Sequence, residues 1–150
     1  MLKKLLQTEN DYGGLIARLA LGIVMFPHGA QKVLGWFGGY GFAGTMTFFT
    51  ETIGIPYFVA LLVVLAEFLG SIGLIVGALT RIAALGIGSV MVGAILLVHL
   101  PNGFFMNWGG NQAGEGFEYH LLALGLALLL ILRGAGALSI DRIITRRLGG

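Results

Sequence analysis

The sequence predicts an all-α protein: a four-helix transmembrane bundle with both termini cytoplasmic and long outer loops rich in glycine and aromatic residues. Three observations predict it. Of 150 residues, 57% are hydrophobic and only 11% charged, whereas a soluble domain carries about 25% charged residues. Four apolar runs approach the roughly 20 residues that a helix needs to cross a hydrocarbon core about 30 Å thick. The basic residues gather at one set of run ends, the bias that orients a membrane protein. A net charge of +2 is no sign of a nucleic-acid partner, because those residues flank apolar runs instead of forming a patch.

The chain is long enough for one domain, residues 1–150. Its start, MLKKLLQTENDYGG, leads into an apolar run without a cleavage site of the A-x-A kind, so the first span is expected to be retained. That span covers about residues 14–34. The second covers about 56–79, with Pro56 suited to a first helical turn. The third covers about 82–100 and stops at Pro101, which disfavours continuation. The fourth, about 117–132, is the shortest.

With the N-terminus inside, Lys3, Lys4, Arg18, Arg81, Arg133, Arg142, Arg146 and Arg147 all fall at cytoplasmic ends, and only Lys32 lies near the outer face. The inner turn, GALTRIA, is tight. The outer connections, GWFGGYGFAGTMTFFTETIGI and PNGFFMNWGGNQAGEGFE, are long. Their Trp36, Phe37, Tyr40, Phe104, Phe105 and Trp108 suit a membrane interface, either as simple anchors or as lids over an outer cavity. Residues 42–53 are expected to form a short interfacial helix without an obvious cap. Glycine is abundant, at 26 residues. Gly73 with Gly77, and Ser89 with Gly93, have the spacing that lets helix backbones approach in lipid.

Function is sought among ionisable residues inside the runs, because an ionised group at mid-bilayer costs about 3 kcal/mol on insertion scales. They are Arg18, His28, Lys32, Glu67, His99, Glu118 and His120. At a rise of about 1.5 Å per residue, all but Arg18 belong to the outer half, with Glu67 near the middle. Pro27 leaves the Ile23 carbonyl without its helical donor. Each residue has a plainer role: Lys32 and Arg18 can reach headgroups, Glu118 suits a helix N-terminus, His99 and His120 are polar ends, and Glu67 can lock two helices through Arg18. A histidine beside a carboxylate and a lysine can also exchange protons and bind a polar head group. No cysteine is present, so disulfides, thiolate metal sites and dithiol relays are excluded. No HxxxH or HxxE spacing sets two ligands on one helical face, and no metal, haem or flavin motif is expected.

The stretches ARLALGIVMFPHGAQKVLG, AEFLGSIGLIVGALTRIAA and GEGFEYHLLALGLALLLILRGAGALSID resemble the DoxX family of small bacterial membrane proteins, over about residues 15–141. The resemblance is carried by Arg18, the His28–Gly29 pair with Lys32, Glu67 with Gly73 and Gly77, Arg81, Glu118, and the closing Gly-Ala-Gly with Ser139 and Asp141. It implies a multi-pass protein of the bacterial inner membrane and a link to redox chemistry, through the related DoxD-type subunit of a thiosulfate:quinone oxidoreductase. The resulting expectation is a quinone-interacting subunit of a membrane oxidoreductase or redox-stress system. His28, Glu67 and His99 would move protons, while Arg18, Lys32, Glu118 and His120 would hold the quinone. Electrons would come from a soluble or membrane partner or an external reductant. The alternatives are a binder or transporter of a small hydrophobic or anionic molecule, and an assembly factor without catalysis. Expected partners are the lipid bilayer, a redox partner and a second copy of the chain.

Overall fold

The computed structural model describes residues 2–147, and among these there are helices and no strands. A short helix α1 (Leu2–Leu6) precedes α2 (Tyr12–Leu34). Helix α3 (Gly41–Thr47) follows and runs into a π-helical turn, Phe48–Thr52. Then come α4 (Tyr57–Val76), α5 (Thr80–Ala94), α6 (Glu118–Arg133) and α7 (Ile140–Arg147). A π turn, Ile95–His99, and a 3₁₀ turn, Leu100–Asn102, prolong α5. Three helices are long and apolar enough to cross a membrane: α2, α4 and α5 with its extension. Helix α6, at 16 residues, is shorter, yet it packs against both α5 and α2.

The helix ends follow local chemistry. Asp11 is the N-cap of α2, its carboxylate accepting from the Gly13 and Gly14 amides. Helix α4 ends at Gly77 in the left-handed conformation (φ 70°), where the Ala78 amide donates to the Gly73 carbonyl. The expected GxxxG contact is therefore corrected. Gly77 terminates its helix and abuts Ser139 and the Arg18 guanidinium, leaving no room for a Cβ. Ser89 and Gly93 are no packing pair either. Ser89 is exposed and donates to the Leu85 carbonyl of its own helix, and a Cβ at Gly93 would meet nothing within 4 Å.

The close approach lies elsewhere, along α2. A Cβ at Gly22 would sit 3.0 Å from Leu74 and Ile75, and one at Gly29 would sit 2.6 Å from the Phe68 Cα. These two glycines, seven residues apart, share one helical stripe and draw α2 against α4. The core beside them is built from small and medium side chains: Ala17, Leu21, Met25, Leu74, Ala84, Ile87, Ala123, Ala127 and Leu130. Large residues such as Leu62, Leu69, Leu85, Leu122 and Leu132 point outward. In lipid, hydrophobic side chains gain nothing by turning inward, so packing falls to small residues and polar contacts.

At the Arg18 end, the guanidinium is 2% exposed and gives all five of its donors to backbone carbonyls. Nε donates to Ala135, Nη1 to Leu74 and Ile75, and Nη2 to Ala137 and Leu138. These carbonyls belong to the last turn of α4 and to the α6–α7 connection. The two carboxylate oxygens of Asp141 accept from the Leu79 and Thr80 amides at the start of α5, while its own amide donates to Gly77. One knot thus closes the ends of α2, α4, α5 and α6.

Candidate functional site

At the opposite end of α2, the sequence HGAQK sets His28, Gly29 and Lys32 within a little over one turn. Gly29 brings the α2 backbone against α4 beside Glu67. Lys32, three residues on, thereby reaches the α4 carboxylate: its Nζ lies 2.5 Å from Glu67 Oε2. The Glu67 side chain is 6% exposed and the Lys32 side chain 22% exposed. The expected helix lock between Glu67 and Arg18 is corrected, since Glu67 pairs with Lys32 and Arg18 is spent at the far end.

Lys32 also borders a cavity of about 260 Å³. The first long connection makes it by folding back over α2 and α4, with Met46 and Phe49 packing on Ala60, Val64 and Val33. Tyr40, Thr45, Phe48 and Phe49 line it from that connection, and Gln31 lies beside Lys32. The expected interfacial helix at residues 42–53 is present as α3 and its π turn, and no side chain caps its start. Its role goes further than anchoring, because it forms the roof of this cavity.

His28, Tyr119, His120 and His99 continue the polar set. The His28 ring lies 6.3 Å from that of Tyr119, whose hydroxyl donates to Met25 Sδ at 3.4 Å. The Tyr119 and His120 rings are 5.4 Å apart, and those of His120 and His99 are 4.2 Å apart. His99 Nδ1 lies 2.8 Å from the Glu115 carbonyl. A carbonyl only accepts, so Nδ1 carries a proton. His120 is buried, and its Nδ1 has no partner among the described residues. The rings of His28, Tyr119, His120 and His99 therefore lie in succession toward the second long connection, with no hydrogen bond between them among the described residues. Among the described residues, no three His, Asp or Glu side chains meet as a metal site needs.

Two of the expected cofactor-holding residues lie elsewhere. Arg18 has no donor left for a ligand and sits in the knot at the other end. Glu118 turns toward the second connection: its Oε1 accepts from the Met106 amide at 3.0 Å and from Trp108 Nε1 at 3.1 Å. There it shapes the loop, while Glu115 accepts from the Asn107 amide. The remaining residues, His28, Lys32, Glu67, His99 and His120, lie on the same half of the bundle. Tyr119 joins them unforeseen. As a phenol at a span end it reads as an interface residue, and only the position of its ring between two histidines gives it another meaning. Ser139 and Asp141 likewise acquire a role through the fold. The sequence signal was two polar residues directly after an apolar run.

Comparison with known proteins places the chain in a family. The chain is 33% identical to the inner membrane protein YqjF of Escherichia coli, over 92% of this chain and 96% of that one. It is 31% identical to CatD of Bacillus subtilis, named provisionally as an oxidoreductase, over 87% of this chain and 86% of that one. An uncharacterized membrane protein of Mycobacterium tuberculosis is 31% identical, over 96% and 88% of the two chains. No solved structure matches. Residues 13–100, carrying Arg18, His28, Lys32 and Glu67, match the DoxX family: the chain belongs to that family and is a multi-pass protein of the bacterial inner membrane.

Proposed function

We propose that the protein is a quinone-interacting subunit of a membrane oxidoreductase or redox-stress system. The observation that carries this reading is the Lys32–Glu67 pair at the edge of an aromatic-walled cavity. Ligand pockets usually measure about 300–1,000 Å³, and a cavity of about 260 Å³ takes one substituted ring while its isoprenoid tail stays in lipid. The Lys32 ammonium is a donor for a quinone oxygen. Phe48, Phe49 and Tyr40 offer apolar walls. A bound quinone would accept two electrons from a partner or an external reductant. This chain would supply the binding and the two protons, through Glu67 and His28, replenished along Tyr119, His120 and His99.

The same reading includes the topology. Helix α6 is the fourth crossing, with the Lys32 end outward and both termini cytoplasmic. Its support is the position of eight of the nine basic residues at the Arg18 end. The provisional oxidoreductase name of CatD agrees with a redox role.

The test is mass spectrometry of organic extracts from detergent-purified protein, wild type beside Glu67→Gln and His28→Ala. Near-stoichiometric quinone in wild type, reduced at least tenfold in Glu67→Gln, is the expected result. No quinone, or equal amounts in all three, would overturn the reading and favour a carrier of another small molecule.

A further inference from the structure

The last described helix has a face that neither the fold nor the quinone reading uses. Helix α7 reads IDRIITRR, and at about 100° per residue its side chains divide into three stripes. Asp141 and Thr145 form the inward stripe. Asp141 is 2% exposed and caps α5, while the Thr145 hydroxyl has two acceptors within reach, the Asp141 carbonyl of its own helix at 2.7 Å and the Leu6 carbonyl of α1 at 2.9 Å. Ile140, Ile143 and Ile144 form a second stripe, 41%, 54% and 37% exposed, and Leu138 just before the helix is 77% exposed. Arg142 and Arg146 form the third, whereas Arg147 falls within the isoleucine stripe at its C-terminal end, where a long side chain can reach out of the apolar layer. These three arginines make no side-chain ion pair or hydrogen bond among the described residues.

An ordinary solvated face would explain the arginines, and their place in the last turns also suits the helix dipole. It does not explain three isoleucines and a leucine beside them that stay this exposed among the described residues. The height of α7 does explain them. Asp141 fastens it to the turn where α4 ends and α5 begins, so it sits at the level where the spanning helices leave the hydrocarbon. A helix held there, with one stripe on protein, one apolar and one basic, matches the amphipathic helix that lies in a bilayer interface.

Charge selects the lipid. At this end Asp11 and Asp141 are committed to capping, and Arg18 and Arg81 to backbone carbonyls. Arg133 is exposed and pairs loosely with Asp11 at 3.7 Å, and Lys3, Arg142, Arg146 and Arg147 remain for outside partners, with Glu9 as the nearby acid. At the opposite end the cation is Lys32, already paired, beside Glu51, Glu115 and Glu118. An arginine fork matches a phosphate in a bidentate way that a neutral surface does not reward.

We propose that α7, fastened to α1 and to the α4–α5 turn, lies in the membrane surface and binds the headgroups of anionic phospholipids, its isoleucines entering the acyl region. The occupant is the bilayer's own anionic lipid. A second copy of the chain or an acidic protein is the competing outcome.

The experiment uses the full chain, delipidated in detergent and equilibrated with mixed micelles holding equal phosphatidylglycerol and phosphatidylcholine. Retained lipid is then quantified by mass spectrometry at 50 and 500 mM salt. Wild type is expected to retain phosphatidylglycerol about fivefold over phosphatidylcholine at low salt. At high salt that preference should fall toward parity, because charge interactions at a surface are screened. The variant carrying Arg142→Gln, Arg146→Gln and Arg147→Gln should show little preference at either salt. Equal retention of the two lipids by wild type would overturn the proposal, as would a preference that persists in the variant or resists salt. If the triple variant is poorly folded, the single variants Arg142→Gln and Arg146→Gln keep the assignment testable: each is expected to lower the preference part-way, and an unchanged preference in both would overturn it. A wild-type preference absent while the chain dimerises through this face would assign the stripe to a second copy. Quinone content plays no part in this readout, so the two readings fail separately.

Discussion

Gly29 is the residue on which the Lys32–Glu67 pair depends. A Cβ there would lie 2.6 Å from the Phe68 Cα and 2.9 Å from the Glu67 carbonyl carbon, and these are backbone atoms that cannot swing aside. Gly29→Ala is therefore expected to destabilise the protein by about 1–3 kcal/mol, as overpacking does. It should also separate Lys32 from Glu67. Gly93→Ala, where the same carbon meets open space, should be neutral or slightly favourable. Thermal unfolding of the two variants in detergent checks the contrast, and equal losses would contradict the assigned packing seam. Asp11 gives a pH prediction outside the spans. Hydrogen bonds from the Gly13 and Gly14 amides hold its carboxyl below the usual carboxylate value, with a smaller contribution from Arg133. The depressed folded value means that its contribution is complete above the unfolded value, about 3.9. It is lost as pH falls through the lower folded value. Asp11→Asn keeps a capping oxygen but does not titrate, so its stability should vary less than wild type's between pH 5 and 2, as followed by circular dichroism.

At the scale of elements, local and tertiary demands compete for the same residue types. The GxxxG spacing of Gly73 and Gly77 marks a helix-packing face only if the helix continues through both. Here Gly77 takes a left-handed φ and ends α4, a use of glycine that spacing cannot distinguish. Glu118 shows the same competition. A carboxylate in a first helical turn reads equally as a ligand and as a favourable charge, and the loop decides by presenting the Met106 amide and the Trp108 indole. Glu118→Ala is accordingly expected to speed amide exchange at Met106 at least tenfold while quinone retention stays near wild type. Unchanged exchange, or lost quinone with an intact loop, would return Glu118 to the binding site.

For the whole molecule, the test is whether the charged pair serves stability or binding. Removing one partner of a buried ion pair costs about 3–5 kcal/mol, whereas replacing both by apolar residues is often neutral. With Lys32 partly exposed, Lys32→Leu should fall at or below the lower end of that range. The double variant Lys32→Leu/Glu67→Leu should recover most of that loss and still retain no quinone. Recovery of both stability and quinone would leave the pair without a function. The long spans were legible because hydropathy acts along the chain, one residue after another. The three long spans and the α3 segment follow from runs and punctuators, whereas the expected stop at Pro101 gives way to a 3₁₀ turn, Leu100–Asn102, whose start tolerates proline's missing N–H. Helix α6 was legible as an apolar run, and its 16 residues leave it shorter than the roughly 20 that a crossing needs.

What the sequence by itself determined is therefore the membrane class, the long helices and a short set of polar residues too costly for lipid to carry without a partner. Which partner each one takes is decided by tertiary structure alone. Arg18 and Lys32 are both cations on α2, fourteen residues apart. One spends its whole fork on carbonyls left open by ending helices, and the other meets a carboxylate across the Gly29 contact. Cost in lipid depends on residue type and depth, which a sequence displays. Satisfaction depends on what another helix brings within about 3 Å, which only the packed bundle contains.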